Sequence, residues 1–358
     1  MSSTDREADL TLEAASQDHG RIAPPIAIGA PDADLLAAAS SGARKAVDGE
    51  LPAAIAFAVW FGSTVPFPGE GRTADVLSVL ATVGAVDLTV ARVVEPHLDA
   101  LAILHQAAAE PGDGVYGVYA AERPGLAPVL AEDGALTGRK PWCSLAGTLD
   151  RALITATEGG QRRLFDIDLH ASGATAAAGT WVSRGLAAVD SGDLDLDHVP
   201  ATPVGEAGWY LERPGFAWGG IGVAACWFGG AVGVARALLV AAERREPDQL
   251  ALAAIGEADR LIWSARALLA DAATRIDAGQ AVGVAGALLA DRVRGVVADA
   301  AERIVVLVGH ALGPAPLTFD EEHARRVADL TVYLRQHHAA RDDARAASAL
   351  LAGAEGWA

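Results

Sequence analysis

Three kinds of group in this sequence stand where chemistry could be done: an aromatic ring beside a hydroxyl, a carboxylate at the head of a helix, and a histidine pair. The ring and hydroxyl lie in the stretch Gly138-Arg139-Lys140-Pro141-Trp142-Cys143-Ser144-Leu145-Ala146-Gly147, where a Gly-punctuated strand breaks at Pro141 before an apolar strand resumes at Ala152. An aromatic wall with one hydroxyl beside it suits a flat, partly polar heterocycle. The plainer reading makes Trp142 a hydrophobic plug between sheet and helices, and Ser144 a turn residue. Glu212 stands two residues before Pro214. A carboxylate there either favours the helix N-terminus that Pro214 opens or, if desolvated, serves as a general base. His337 and His338, with Arg335, Arg341 and Asp342, form the densest polar cluster. Adjacent helix positions point about 100° apart, which suits one metal ion poorly, so a solvated helix face is expected. His310 and His323 stand alone and read as structural. Cys143 and Cys226 are too few and too far apart for a disulfide framework or a zinc site, so two buried thiols and no metal site are expected.

The elements that must carry these groups change type twice along the chain. Residues 5–18 and 32–48 are Ala-rich and read as helices, the second with Asp32 and Asp34 at its start. After a Gly/Pro loop at 62–69, one long helix is expected from Thr73 to about Ala108, its apolar face formed by Leu88, Ala91, Val94, Leu98, Leu101 and Leu104. Turn residues at 111–114 then lead into Val115-Tyr116-Gly117-Val118-Tyr119, which has strand propensity. Hairpins are expected over 129–138, turning at Asp133-Gly134, and over 151–169, turning at Glu158-Gly159-Gly160. Alternation of Phe165, Ile167 and Leu169 with Asp166 and Asp168 predicts one wet face. A last strand pair is read at 186–189 and 194–199.

Beyond Pro214 four long helices are expected, over 219–243, 255–276, 289–311 and 320–351, packed as a bundle. Gly219-Gly220-Ile221-Gly222 and Gly229-Gly230 point to close approach of helix backbones. Gly220-x-Gly222-x-x-Ala225 fits a dinucleotide fingerprint, but no strand precedes it and no βαβ unit follows. The fold class is therefore α+β: an N-terminal helical domain over 1–112, a middle antiparallel β-domain over 113–210, and a C-terminal four-helix bundle over 211–358.

Composition narrows the partners. A formal charge of −18 over 358 residues opposes binding to nucleic acid or an acidic membrane surface, because the mean field repels phosphate. Lys45 and Lys140 are the only lysines among 28 basic residues, a compositional bias. The polar N-terminus lacks the apolar core of a signal peptide, and no apolar run of roughly 18 residues is read as a membrane span. A cytoplasmic location is expected.

Several strings in this order resemble the acyl-CoA dehydrogenase family. Glu95-Pro96-His97-Leu98-Asp99-Ala100-Leu101 is similar to that family's Glu-Gly-His-x-x-Ala-Leu string, and Trp142-Cys143-Ser144 to its Trp-[Ile/Val]-[Thr/Ser] step. Leu194 to Pro200 resembles the strand that closes the β-domain, and Leu211-Glu212-Arg213-Pro214 to Gly222 the entry into the third domain. The resemblance implies FAD, with Trp142 against the isoalloxazine and the Ser144 hydroxyl at a ring heteroatom. It implies oxidation of the CH–CH group of an acyl thioester, with Glu212 as the base, in a homo-oligomer or in a hetero-oligomer with a homologue. Four strings depart from the family pattern. Val118 to Gly125 replaces the Thr-Glu-Pro-x-x-Gly-Ser-Asp loop, and Glu246-Pro247-Asp248-Gln249 replaces the Arg-x-Phe-Gly segment that reaches the FAD pyrophosphate. Leu307 to Gly313 replaces Gln-x-x-Gly-Gly-x-Gly, and Tyr333 to His338 stands where Tyr-Glu-Gly-Thr carries the usual base. These departures keep two alternatives open: a non-catalytic or regulatory subunit of this fold, and a monooxygenase variant using reduced flavin from a partner.

Overall fold

The computed structural model describes residues 24–123, 125–131 and 134–354; the helix expected at 5–18 and the turn residue Asp133 lie outside them. Among the described residues four helices come first: α1 (Ala33–Asp48), α2 (Glu50–Gly62), α3 (Thr73–Val86) and α4 (Leu88–Gln106). Seven strands follow: β1 (Tyr116–Tyr119), β2 (Val129–Leu130), β3 (Ala135–Lys140), β4 (Arg151–Glu158), β5 (Gln161–Asp168), β6 (Ala174–Ala176) and β7 (Leu194–Val204). The chain then returns to helix with α5 (Trp209–Glu212), α6 (Pro214–Arg244), α7 (Gln249–Asp277), α8 (Gly283–Leu312), α9 (Ala315–Phe319), α10 (Glu321–Tyr333) and α11 (Ala340–Leu351).

Three expected elements are corrected. The long helix from Thr73 is two helices, because Asp87 leaves the helical region and its side chain accepts from the Val90 N–H, capping α4. Residues 186–189 form a turn and no strand; β7 pairs instead with β3, β5 and β6. The expected helix over 320–351 breaks after a 3-10 turn at Leu334–Gln336, and Ala339 adopts a φ of +46° before α11 starts. Residues 50–62, unassigned from sequence, form α2.

The β-region is not purely antiparallel. Strands β1 and β2 both run parallel to β4 and share one of its edges, while β5 takes the other. The pairings β4–β2, β2–β3, β3–β7, β7–β5 and β5–β4 close into a ring, which leaves few strand edges free. The β4–β5 turn falls at Gly159-Gly160, where both residues have positive φ, as a two-residue hairpin loop requires. The wet face expected on β5 is only partly so: Asp166 is buried, accepting from the Tyr116 hydroxyl at 3.0 Å and from Arg151 at 3.1 Å. The C-terminal half of α4 covers that face, packing Ala100, Ile103 and Leu104 against Tyr116, Leu153, Leu164 and Val204.

Helix α6 is the other organiser. It is long and apolar enough to cross a membrane, contrary to the sequence reading, but 67% of its most apolar window is buried among α3, α4, α7, α8 and α10. Its glycines permit this. A Cβ on Gly229 would lie 2.1 Å from the Ala81 carbonyl oxygen, so α3 and α6 cross at backbone contact, the close approach the Gly-rich run predicts. Helix α4 is thereby held between the barrel and α6, and its polar residues are drawn into the interior.

Candidate functional site

Lys140 ends β3 wholly buried, donating from Nζ to the Thr155 carbonyl at 2.9 Å and to its Oγ1 at 2.7 Å, and burial lowers its pKa to about 8. The loop that follows is pinned to the 190–192 turn: the Cys143 N–H donates to Gly192 O at 2.8 Å and the Leu145 N–H to Asp190 O at 2.6 Å. Trp142 and Leu145 are held at φ +61° and +59°, a region that costs a residue with a Cβ and that the surrounding bonds enforce. The result turns the Trp142 ring outward, 54% exposed, with the Arg123 guanidinium 5.9 Å above it. Cys143 points inward, and burial pushes its thiol up to about 12, so it is no nucleophile at neutral pH.

Ser144 is half-buried and faces α4. Its Oγ lies 3.1 Å from Arg92 Nη2 and 2.8 Å from Ser191 Oγ. Arg92 also donates to Glu95 at 3.1 Å and lies over the Tyr333 ring at 5.0 Å. Burial raises the Glu95 carboxyl to about 7 against the opposing pull of Arg92. Around this pair, Trp227 Nε1 is buried without a hydrogen-bond partner, the Tyr333 hydroxyl lies against Arg92, and His337 Nε2 is 3.7 Å from the Asp342 carboxylate. Trp227 packs edge-on to Tyr333 and to His337, and carries the Arg294 guanidinium 4.7 Å from its ring.

On the far side of Glu95 a narrow slot of about 40 Å³ runs between α3, α4 and α6, toward the loop of Val65, Pro66 and Phe67. Its walls are apolar, with Leu77, Leu80, Leu98 and Ile276, and its polar lining includes Glu95, Asp99 and Arg213. The Arg213 side chain is 2% exposed; it donates to Gln106 Oε1 at 2.8 Å and lies 3.7 Å from Asp99, whose pKa burial raises. Arg92, Glu95 and Asp99 recur at three and four residues and so share one face of α4.

The sequence-derived candidates separate in space. Trp142 and Ser144 flank one another at the junction of barrel and helices. Glu212, at the end of α5, is exposed and does not line the slot, whereas its neighbour Arg213 is buried in it. The His cluster is not one solvated face: the His337 side chain is 10% exposed and turned to Trp227, His338 faces solvent, and Asp342 is buried, accepting from the His338 N–H and from Arg345. The difference follows from the break at 337–339. Arg335 pairs with Glu302 on the surface. Among the described residues no group of three or more His, Cys, Asp or Glu is placed to hold a metal ion. Sequence reasoning missed Arg92 and Arg213. The signal for Arg92 was present, since a charged stripe at 92, 95 and 99 interrupts a largely apolar helix.

No family model and no curated protein sequence matches the chain. Solved structures do. Butyryl-CoA dehydrogenase from Megasphaera elsdenii superposes with a TM-score of 0.75 at 17% identity, over 89% of this chain and 97% of that one. The fold is that of the acyl-CoA dehydrogenases. KijD3, solved with FMN and a dTDP-linked amino sugar, superposes at 0.71 with 22% identity over 90% and 92% of the two chains. The dibenzothiophene monooxygenase TdsC from Paenibacillus sp. A11-2 gives 0.72 at 17% identity over 90% and 97%, and has also been solved bound to FMN.

Proposed function

We propose that this protein is a flavin-dependent oxidoreductase built on the acyl-CoA dehydrogenase fold. The observation that carries the reading is the junction itself. A half-exposed indole and a hydroxyl stand two residues apart on a strained loop, and Arg92 links that hydroxyl to the buried Glu95 and Tyr333. An aromatic wall beside a hydroxyl and a buried polar cluster fits a flat, partly polar heterocycle. Trp142 would hold the ring face and Ser144 a ring heteroatom; the flavin, FAD or FMN, supplies two-electron chemistry when bound. Arg92 and Glu95 set the polarity of the space next to Ser144, and the apolar slot behind Glu95 would take the non-polar part of a substrate.

Two chemistries fit this frame. Oxidation of the CH–CH group of an acyl thioester needs a carboxylate that faces the reacting carbon. Oxygenation with reduced flavin does not require that base. The outward position of Glu212 favours the second reading, and leaves Glu95 as the carboxylate available to the first.

The deciding experiment is a visible spectrum of the purified protein, alone and after addition of FAD or FMN, followed by anaerobic titration with reduced flavin. Binding in either redox state is expected. Failure to bind flavin in both states would remove the enzyme reading and leave a non-catalytic subunit. Anaerobic bleaching by acyl thioesters identifies the dehydrogenase, and oxygen consumption with supplied reduced flavin identifies the oxygenase.

A further inference from the structure

The slot behind Glu95 mixes two kinds of lining. Helices α3 and α7 bring Leu77, Leu80 and Ile276, while α4 adds a polar stripe of Glu95, Asp99 and Gln106 that meets Arg213. The stripe residues fall four and seven positions apart, which is one helix face. Helix α6 leaves room for them with glycine. A Cβ at Gly215 would collide with Arg213 Nη1 and Gln106 Oε1, and one at Gly219 would lie 2.9 Å from Asp99 Oδ1.

Two of these groups keep hydrogen-bonding capacity. Arg213, its side chain 2% exposed, donates from Nη1 to Gln106 Oε1 at 2.8 Å and lies 5.3 Å from the Tyr210 ring centroid. Its Nε–H is buried with no hydrogen-bond partner among the described residues. Asp99 Oδ1 stands 3.7 Å from Arg213 Nη2, longer than a direct hydrogen bond. The charges are already matched, since Arg213 opposes Asp99 and Arg92 opposes Glu95 at 3.1 Å. An anion in the slot would meet Asp99 and a cation would meet Arg213, each adding an unpaired charge to a buried place. A neutral group avoids both penalties. A hydroxyl, with one proton and two lone pairs, can accept from Arg213 Nε and donate to Asp99 at once. Size sets the rest: about 40 Å³ holds about three water-sized groups.

We propose that the slot is a specificity pocket for a slender substrate arm of about four non-hydrogen atoms ending in a hydroxyl, held by Arg213 and Asp99, with its methylenes against Leu77, Leu80 and Ile276. These two residues then select a neutral, hydroxylated arm over both alkyl and charged ones. The inference deepens the reading of the slot as a place for part of the substrate and rests on it.

The test uses the full chain and ligand-observed NMR titration with four three-carbon probes: 1-propanol, 1-chloropropane, propionate and propylammonium. Saturable binding of 1-propanol is expected, about tenfold tighter than each of the other three, the worth of one good hydrogen bond. Asp99→Asn keeps the shape but leaves Arg213 unopposed, so propionate should gain about tenfold relative to 1-propanol. If that variant fails to fold, Arg213→Gln supplies the mirror test, in which propylammonium gains. A residue that only braced the helices would weaken all four probes alike. Equal binding of 1-propanol and 1-chloropropane by wild type, a charged probe ranking first, no saturable binding of any probe, or a ranking unmoved by Asp99→Asn overturns the proposal. The flavin reading is judged separately, by the spectrum. Flavin binding with an unselective slot keeps that reading and removes this one; a slot selective for 1-propanol in a chain that binds no flavin does the reverse.

Discussion

Glu212 and Glu95 differ in the one property a general base needs, which is a controlled degree of desolvation. Glu212 is exposed at the end of α5, outside the first turn of α6 and without a capping bond to it. Glu212→Gln should therefore leave turnover within about twofold of wild type; a fall of about 10²–10⁴, the usual worth of general base catalysis, would reinstate it and require α5 to turn inward during the reaction. Glu95 is buried, with a carboxyl raised from 4.5 to about 7. Between those values the folded chain holds a proton that the unfolded chain has released. Glu95 thus costs nothing below about pH 4.5, and its cost grows as pH rises and is complete above about 7. Glu95→Gln should remove that slope from the pH dependence of stability, measured by denaturant unfolding from pH 4.5 to 7.5. An unchanged slope would place the titration elsewhere.

At the scale of elements, the slot depends on how α3 begins. Its N-cap position, Arg72, offers no side-chain cap. Asp277, at the end of α7, supplies one from across the fold, accepting from the Thr73 N–H at 3.0 Å, its hydroxyl at 2.6 Å and the Gly71 N–H at 3.1 Å. Thr73 and Ile276 both line the slot, so this cap ties the wall of the cavity to the bundle. Asp277→Ala should cost about 1–2 kcal/mol by chemical denaturation, the upper range for a lost N-cap, because more than one donor is orphaned. A loss below about 0.5 kcal/mol would mean that water replaces the carboxylate without penalty. The same logic explains α6: no propensity favours so many glycines in one helix, and their use shows in tertiary contacts such as that of Gly229 with Ala81.

For the whole molecule, exposed apolar residues occur on several elements, α7 and α8 among them. Leu252 and Trp263 lie three turns apart on the outer side of α7, and Val296 and Val306 are exposed on α8. If the chain forms the homo-oligomer that the family resemblance implies, these residues are the expected contact for a second copy. Light scattering after size exclusion should give a symmetric oligomer, and Trp263→Asp should shift it toward smaller species without altering the flavin spectrum. A wild-type monomer at micromolar concentration would set this surface aside.

By itself the sequence determined the order of helices, strands and helices, most of the long helices, the β4–β5 hairpin and the Trp142-Cys143-Ser144 step. These are legible because each rests on local periodicity or turn chemistry within a few residues. Only the tertiary structure decided that Glu212 faces out and Arg213 in, that His337 is buried and His338 is not, and that Arg92 reaches Ser144 across 52 positions of chain. Each of these turns on a break or a packing contact that local sequence leaves open: the φ values of Trp142 and Ala339, the cap at Asp87, and the pressure of α6 on α4. A charged side chain goes wherever its helix face is turned, and that face is set by what packs behind it.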